Sequence, residues 1–307
     1  MDTLHPSALD ALGITVLERG WLSSNCTVMR DEQHAWVVDT GYCTHAEQTA
    51  GLIEQVLGDQ PLTGIINTHL HSDHCGGNAE LARRYPELEI LIPPGQAGSV
   101  IPWDPVALTY EPTGQRCPPF EYTQVLKPGT TVRLGPATWD VLAAPGHDPH
   151  AVLLYQPDAR VLIAGDALWE NGFGVVFPEL EGVDAFAEVQ ATLNVIGSLE
   201  PRWVIPGHGR PFTDVTAALH RAEQRLAQFV TRPDKHAEYA AKVLVKFHLL
   251  EHQTVPLQSL SEWYETTPYF GVVKSRYPAL DLSLHTLVDK LVVVNAAARS
   301  GDVVINL

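Results

Sequence analysis

The sequence predicts a layered α/β domain followed by a smaller, mainly helical domain. Up to about residue 213, short apolar runs that end in Gly, Pro or Asp alternate with helical patterns, which is typical of strands and helices stacked in layers. Beyond that point, long amphipathic helices dominate. A chain of 307 residues can bury one large core and still form a second unit. We therefore assign residues 1–213 and 214–307 to separate domains.

The predicted strands of the first domain are short runs rich in Val, Ile and Trp, which indicates burial in a sheet. They cover residues 13–18, 35–39, 63–68, 138–143, 151–155, 161–164 and 202–205. Apolar residues at helical spacing predict helices at 44–57, 76–84 and 184–199. In the last of these, Asp184 is the expected N-cap. The apolar stripe of that helix comprises Phe186, Val189, Leu193 and Ile196.

Residues 93–120 interrupt this order with repeated prolines and glycines and few periodic apolar positions, so we expect a long loop there. Trp103, Tyr110 and Phe120 lie in or beside it. Two uses of these rings are open: they form one wall of a pocket, or they only pin the loop to the body of the domain.

The second domain begins with two amphipathic helices, at 214–230 and 235–251. A short helix after Pro256, another at about 282–291, and the β-rich strings LVVVN and DVVINL, joined by AAARSG, complete the order of a winged-helix-like module. The aromatic string EWYETTPYF carries Trp263, Tyr264, Tyr269 and Phe270. Because of this string, we expect residues 214–307 to help shape the substrate entrance or a homodimer contact.

Charge and cysteine usage exclude several classes of partner. The net charge is −16, and residues 1–213 hold 10 Lys and Arg against 26 Asp and Glu, whereas residues 214–307 hold 10 against 10. Because such a surface repels polyphosphates and acidic lipids, neither nucleic acid nor a membrane is an expected partner. The four cysteines form no C-x-x-C pair, and the start MDTLHPSALDAL has no signal-peptide pattern, so we expect a cytoplasmic protein.

A dense group of metal-ligating residue types follows the strand at 63–68. The segment TGIINTHLHSDHCGGN places four of them within six residues: His69, His71, Asp73 and His74. Three further strings of strand and glycine-bounded turn carry His147 in AAPGHDPH, Asp166 in LIAGDALW and His208 in VIPGHGRP. Imidazole and carboxylate groups bind first-row transition metals, and a catalytic ion typically takes three protein ligands. Together the four strings supply enough ligands for two ions.

These strings, in this order, resemble the hallmark of the metallo-beta-lactamase superfamily over residues 13–213, which is H-x-H-x-D-H followed by a distant His, an Asp and a final His. The resemblance implies a four-layer αββα sandwich, to which the mainly helical, winged-helix-like domain is attached. It also implies the ligands of two metals: His69, His71 and His147 for the first, Asp73, His74 and His208 for the second, and Asp166 bridging both. Zinc is the expected metal, with manganese or iron as alternatives.

Two adjacent ions can share a water molecule and lower its pKa, so a metal-bridging hydroxide is the expected nucleophile on an acyl carbonyl. Asp73 is a catalytic candidate as well as a ligand, because it could relay a proton to the leaving group. Of the residues near His147, we expect His150 to be structural and Asp148 to orient a liganding imidazole.

Three classes of function follow from the resemblance. The favoured one is hydrolysis of a small-molecule ester, thioester or lactone, as in glyoxalase II and the acyl-homoserine lactonases, although the last helices hold no basic cluster to match the glutathione-binding residues of glyoxalase II. The second is a metal-dependent nuclease or phosphodiesterase, because some endoribonucleases of the superfamily are similar in domain layout. The third is oxidation by a single iron, similar to the persulfide dioxygenases.

Overall fold

The structure, a computed structural model, describes residues 6–307. Its helices are α1 (Pro6–Ala11), α2 (Ala46–Leu57), α3 (Ser72–Cys75), α4 (Asn78–Arg84), α5 (Ala97–Val100), α6 (Phe177–Glu181), α7 (Phe186–Leu199), α8 (Val215–Thr231), α9 (Pro233–His252), α10 (Leu257–Thr266), α11 (Pro268–Arg276) and α12 (Leu284–Val293). Its strands are β1 (Ile14–Leu17), β2 (Cys26–Arg30), β3 (Ala35–Val38), β4 (Gly64–Ile66), β5 (Glu89–Ile92), β6 (Gln124–Val125), β7 (Thr131–Leu134), β8 (Ala137–Ala143), β9 (Val152–Gln156), β10 (Val161–Gly165), β11 (Trp203–Pro206), β12 (Thr254–Pro256), β13 (Ala297–Ser300) and β14 (Val303–Asn306).

Two sheets form the body of the first domain. One has the order β1-β2-β3-β4-β5-β6, with antiparallel pairing up to β3 and parallel pairing from β3 onwards. The other has the order β11-β10-β9-β8-β7, in which β10 and β11 are parallel and the remaining pairs antiparallel. Consequently β8, β10 and β11 run in the same direction, and their carboxyl ends meet at one edge.

The two sheets face each other across an apolar core and carry helices on their outer faces. Met29, Ile66, Trp139 and Ile163 are among the side chains buried between the sheets. On the outside of the first sheet, α2 and α4 pack against β2 to β5, and on the outside of the second sheet, α7 and α8 pack against β9 to β11. The predicted four-layer αββα sandwich is therefore confirmed.

The C-terminal region is mainly helical and has a core of its own. Helices α9 to α12 surround a small sheet of order β12-β14-β13, and this core also contacts Val175 and Leu180 of the first region. Helix α8, which we predicted in the second domain, packs against the second sheet. The boundary at residue 214 and the winged-helix interpretation stay predictions.

The string LVVVN is not a strand, contrary to the prediction. Leu291 to Val293 form the last turn of α12, whose buried stripe comprises Leu284, Leu287, Val288 and Leu291. The Ser283 hydroxyl accepts a hydrogen bond from the Thr286 amide and caps this helix, and amphipathic packing then outweighs the β propensity of the valines. The strand lies instead in the string that we predicted as a connection, since β13 pairs with β14 across a turn at Gly301.

The prediction missed four strands of the sandwich, β2, β5, β6 and β7. Each has at most five residues, and each is defined by its pairing with a neighbouring strand.

The long loop at 93–120 is confirmed, with the four residues of α5 as its one helical turn. No helix in the described part of the chain combines the length and apolarity required to cross a membrane.

The predicted N-cap of α7 is wrong. The helix begins at Phe186 after Ala185, and the amides of both residues donate hydrogen bonds to Oε2 of Glu179, at 2.9 and 3.2 Å. Asp184 is exposed, and no helix amide within the described residues bonds to its carboxylate. A carboxylate from the preceding helix therefore satisfies the free amides, and it also lies at the positive end of the helix dipole.

Replacing Glu179 with Ala should lower the free energy of unfolding by about 1 kcal/mol, because the Phe186 amide at the start of α7 loses its acceptor and the Ala185 amide keeps only the carbonyl of Val183. Urea unfolding followed by circular dichroism measures this change. Asp184→Ala is the matched control, and its free energy of unfolding should stay within about 0.5 kcal/mol of the parent value. A larger loss in Asp184→Ala than in Glu179→Ala would restore the original assignment.

Candidate metal centre

All seven predicted ligands meet at one edge of the sandwich. His69 and His71 follow β4 of the first sheet, and Asp73 and His74 lie in α3. The other three follow the parallel-running strands of the second sheet: His147 after β8, Asp166 after β10 and His208 after β11. The cluster therefore lies where the carboxyl ends of strands from both sheets face each other.

Three groups of potential ligand atoms each lie within 4.8 Å of one another. They are His69, His71 and His147; His69, His74 and Asp166; and Asp73, His74 and His208. The first and third groups are the two triads expected from the sequence. Asp166 lies between them, with its carboxylate oxygens 3.4 Å from Nε2 of His74 and 3.5 Å from Nε2 of His147. This placement fits a residue that contacts two ions.

The histidines present unpartnered nitrogen atoms to the centre of the cluster. Nε2 of His69 and Nε2 of His74 are buried without a hydrogen-bond partner among the described residues. Nδ1 of His71 and Nε2 of His147 lie 2.8 Å apart. Buried nitrogen atoms normally have a partner, so this donor set fits divalent metal ions.

The opposite nitrogen atoms of these rings are held by the protein. Nδ1 of His74 donates to Oδ2 of Asp39 at 2.8 Å. The Thr68 hydroxyl donates to the same carboxylate oxygen and contacts Nδ1 of His69 at 3.1 Å. With Nδ1 protonated, each ring keeps its Nε2 lone pair for a metal. Asp39 thus orients two candidate ligands.

A strap formed by residues 174–177 holds His147. Nδ1 of His147 donates to the carbonyl of Val175 at 2.5 Å, and the next amide, that of Val176, donates to Nε2 of His236 at 3.1 Å. His236 belongs to α9 and is fully buried between Phe186 and Phe229. Burial lowers the pKa of His236 to about 3, so the ring is the neutral acceptor that the amide requires. The C-terminal region therefore fixes the orientation of a candidate ligand.

Burial and neighbouring charges shift the pKa values of the cluster residues in opposite directions. Burial lowers the pKa of His69 well below its usual value, and it lowers the pKa of His147 to about 4. Burial alone would also lower the pKa of His74, but Asp166, Asp39 and Asp73 outweigh it and raise that pKa well above the usual value. Burial opposes ionisation of Asp166, yet the neighbouring histidines hold its pKa well below the ordinary range. The Asp166 carboxylate is therefore ionised, and a metal ion that binds His74 would displace the proton that its raised pKa places on Nε2.

Asp148 and His150 differ in their relation to the cluster. Oδ2 of Asp148 lies 3.8 Å from Nε2 of His71, close enough for electrostatic attraction but not for a hydrogen bond. Its other oxygen accepts the amide of His150 at 2.7 Å. His150 is exposed and belongs to none of the ligand groups. The orienting role of Asp148 stays a prediction.

A cavity of about 110 Å³ lies over the cluster. The loop at 93–120 contributes Thr109, Thr113 and Gln115 to its wall, and the C-terminal region contributes residues that include Tyr239, Val243, Phe247 and Tyr269. Trp103, Tyr110 and Phe120 pack into the core instead, where they pin the loop. The loop therefore lines the cavity through its polar residues. Of the aromatic string, Tyr269 reaches the cavity, whereas Trp263, Tyr264 and Phe270 pack inside the C-terminal core.

Several residues of the site were not found from the sequence. Asp39 ends the strand predicted at 35–39, and its positive φ of 59° is a local signal that only the structure reveals. Trp169, three residues after Asp166, donates from Nε1 to Oδ1 of that carboxylate at 3.1 Å. Trp21 stacks on the His208 ring with centroids 5.3 Å apart. Of these residues, only Trp169 could have been noticed in the sequence, because it lies three residues after the predicted ligand Asp166.

Comparison with known proteins gives consistent similarities. The model of the metallo-beta-lactamase superfamily matches residues 19–208. A hydroxyacylglutathione hydrolase from Synechococcus sp. (strain JA-3-3Ab) is 28% identical over 208 residues, which are 68% of this chain and 69% of that protein. A metallo-beta-lactamase family protein from Thermus thermophilus has a TM-score of 0.59 at 18% identity, covering 96% of this chain and 99% of its own. Another solved structure, in a di-iron-bound form, has a TM-score of 0.54 at 25% identity, covering 68% and 98%.

Replacing His236 with Leu should weaken zinc binding on the order of tenfold, because the strap that orients His147 loses its anchor. The buried Val176 amide would also lose its acceptor, which should cost about 1–3 kcal/mol of stability. His236→Gln is the matched control, since its amide oxygen can replace the imidazole acceptor. Zinc affinity is measured by competition with a chromophoric chelator. Equal zinc affinity in parent and His236→Leu would contradict the role of the strap.

Proposed function

Because the chain belongs to the metallo-beta-lactamase superfamily and is a metallo-hydrolase, we propose that it hydrolyses the acyl C–O or C–S bond of a small ester, thioester or lactone with two divalent metal ions. The observation that carries this proposal is the lining of the cavity over the ligand cluster. Outside the cluster that lining is aromatic, aliphatic and neutral polar with one acid, Glu181, and none of the described lining residues is Lys or Arg.

Proteins of this superfamily bind divalent metals, and the cluster offers the ligand types that such metals take. We propose His69, His71 and His147 as ligands of one ion, and Asp73, His74 and His208 as ligands of the other, with Asp166 contacting both. Zinc is the metal we propose, and the similar structure with two irons keeps iron as an alternative. Manganese is a third choice, since histidine and carboxylate ligands do not select one metal.

When bound, two such ions would lower the pKa of a shared water molecule and polarise the acyl carbonyl. The chain supplies geometry and proton transfer. Oδ2 of Asp73 lies 3.1 Å from Nε2 of His208, and Asp73 lines the cavity, so its carboxylate can carry a proton from the attacking water to the departing oxygen or sulfur. Trp169 restrains Asp166 from the other side. Hydrolysis then yields a carboxylate and an alcohol or thiol.

The charged residues that line the cavity favour acyl substrates over phosphodiesters. A phosphodiester brings a permanent negative charge, and sites for it normally add Lys or Arg. Here the one charged lining residue outside the cluster is Glu181, whose pKa burial raises. These walls favour a neutral acyl group over a nucleic acid. A mononuclear iron oxidoreductase similar to the persulfide dioxygenases is the third candidate, and the metal content distinguishes it from a dinuclear hydrolase.

We further propose that residues 1–213 act as the catalytic domain and that residues 214–307 close the cavity. Tyr239, Val243, Phe247 and Tyr269 support the second part, because they line the cavity from the C-terminal region. The homodimer contact and the cytoplasmic location stay predictions.

Metal-replete protein should hold two metal ions per chain, measured by plasma mass spectrometry after gel filtration. Asp166→Ala should lose one ion and activity by a factor on the order of a thousand, because both ions lose a shared ligand. Asp184→Ala, which removes an exposed carboxylate far from the ligand strings, is the control and should keep both ions. A single ion in the replete parent protein, or two ions at full rate in Asp166→Ala, would refute the dinuclear assignment.

Acyl substrates should be cleaved faster than phosphodiesters in a side-by-side panel of thioesters, lactones, aryl esters, bis-phosphodiesters and RNA. The reason is that the described cavity wall has no Lys or Arg to pair with a phosphate. Measuring each rate at low and moderate salt separates specific turnover from charge steering, because steering weakens as salt rises. Faster turnover of RNA or of a bis-phosphodiester than of every acyl substrate would reverse the ranking.

A further inference from the structure

We propose that the substrate carries an extended apolar acyl chain, and that this chain lies in a groove between Trp21, Trp169 and the exposed face of α9. The inference rests on the proposed acyl hydrolysis and adds the chemical class of the acyl group. The groove has a volume of about 430 Å³, several times that of the cavity over the ligand cluster. It is therefore large enough for an extended chain rather than a short hydroxyacyl group.

The groove is continuous with the cavity over the cluster. Trp21, Trp169, Tyr239, Val243, Phe247 and His208 line both spaces. Leu250, one turn further along α9 than Phe247, lines the groove alone. A chain with its carbonyl at the ligand cluster would thus pass between the two tryptophans and α9 and end near Leu250.

The tryptophans give the groove an apolar wall that solvent reaches. Trp21 stacks on His208 with an interplanar angle of 9°. Despite this contact, Trp21 remains 56% exposed. Trp169 meets Trp21 edge to face, with ring centroids 5.3 Å apart. When an acyl chain covers a large exposed aromatic side chain, the apolar surface of both is removed from water. The resulting gain in binding free energy is hydrophobic and does not depend on charge.

Two of the three cations that line the groove, Lys246 and Arg225, contact other groups of the protein. All three protons of the Lys246 ammonium have acceptors: the carbonyls of Ala296 and Leu307 and the side-chain oxygen of Asn306. The Arg225 guanidinium lies over the Tyr239 ring, 4.4 Å from its centroid, and donates to the carbonyl of Asn171.

Arg210, at the rim, is 85% exposed on its side chain and lies 3.7 Å from Glu18. The lining thus holds three cations and one acid, Glu170, and the ammonium of Lys246 has no hydrogen-bond donor left for a ligand. An uncharged chain in this groove gains contact with the aromatic rings and with α9.

The test is a series of thioesters with one leaving group and straight acyl chains from acetyl to dodecanoyl. We expect kcat/KM of the zinc-loaded protein to rise by up to about fourfold per added methylene until the groove is full, the factor that corresponds to about 0.8 kcal/mol per buried CH₂. Leu250→Trp should shorten the chain length of highest kcat/KM, because it fills the distal end of the groove. Val293→Trp is the matched control on α12, at a position that is 85% exposed.

Binding of dodecanoate, followed by tryptophan fluorescence, provides a readout independent of turnover, and Leu250→Trp should weaken it at least tenfold relative to Val293→Trp. Turnover of acyl substrates at a rate independent of chain length, or a chain-length profile and dodecanoate affinity unchanged in Leu250→Trp, would overturn the groove proposal. Absence of turnover for every thioester would refute the proposed hydrolysis instead, and dodecanoate binding would then still decide the groove.

Discussion

The site depends on one geometric constraint: polar groups from two different sheets must meet closely enough for their ligand atoms to lie within 4.8 Å of one another. The first sheet supplies four of the candidate ligands after β4, and the second supplies three after β8, β10 and β11. Their separation is set by the packing between the sheets, where Trp139, Met29 and Ile66 are fully buried. Because packed sheets do not deform continuously, this core acts as a rigid spacer for the cluster.

The cost of burying so many polar groups explains the shell around the cluster. An unpartnered buried polar group is strongly unfavourable, so the outward Nδ1 atoms of His69, His74 and His147 each have an acceptor. Asp39 provides the contact to His74 and, by accepting from the Thr68 hydroxyl, supports the contact to His69, from a left-handed backbone conformation that aspartate adopts at some energetic cost. The inward Nε2 atoms are left with lone pairs that metal ions can use. The same hydrogen bonds that make burial tolerable therefore also select the ligating tautomer.

The sequence predicted what is local and missed what is formed by contacts between distant segments. The ligand strings were visible because each compresses a strand end, a glycine and a polar side chain into a few residues. Asp39 and His236 act on histidines 35 and 89 residues away, respectively, so no spacing rule reveals them. The string LVVVN has the composition of a strand, yet the buried stripe of α12 extends into it. The edge strand β7 alternates over only four residues, which is too short to be recognised without its partner β8.

Helix α9 links the recognition of substrate to the geometry of the centre. Positions 236, 239, 243, 247 and 250 recur at helical spacing, so they lie along one stripe that faces the first domain. His236 at its beginning anchors the strap that holds His147, whereas Tyr239, Val243 and Phe247 line the cavity. Near its end, Glu251 accepts hydrogen bonds from Tyr42 and Arg116, which fixes the helix against the sandwich. Under the proposed function, the residues of α9 that contact the substrate therefore lie between two anchored parts of the helix, separate from the residue that anchors the strap of His147.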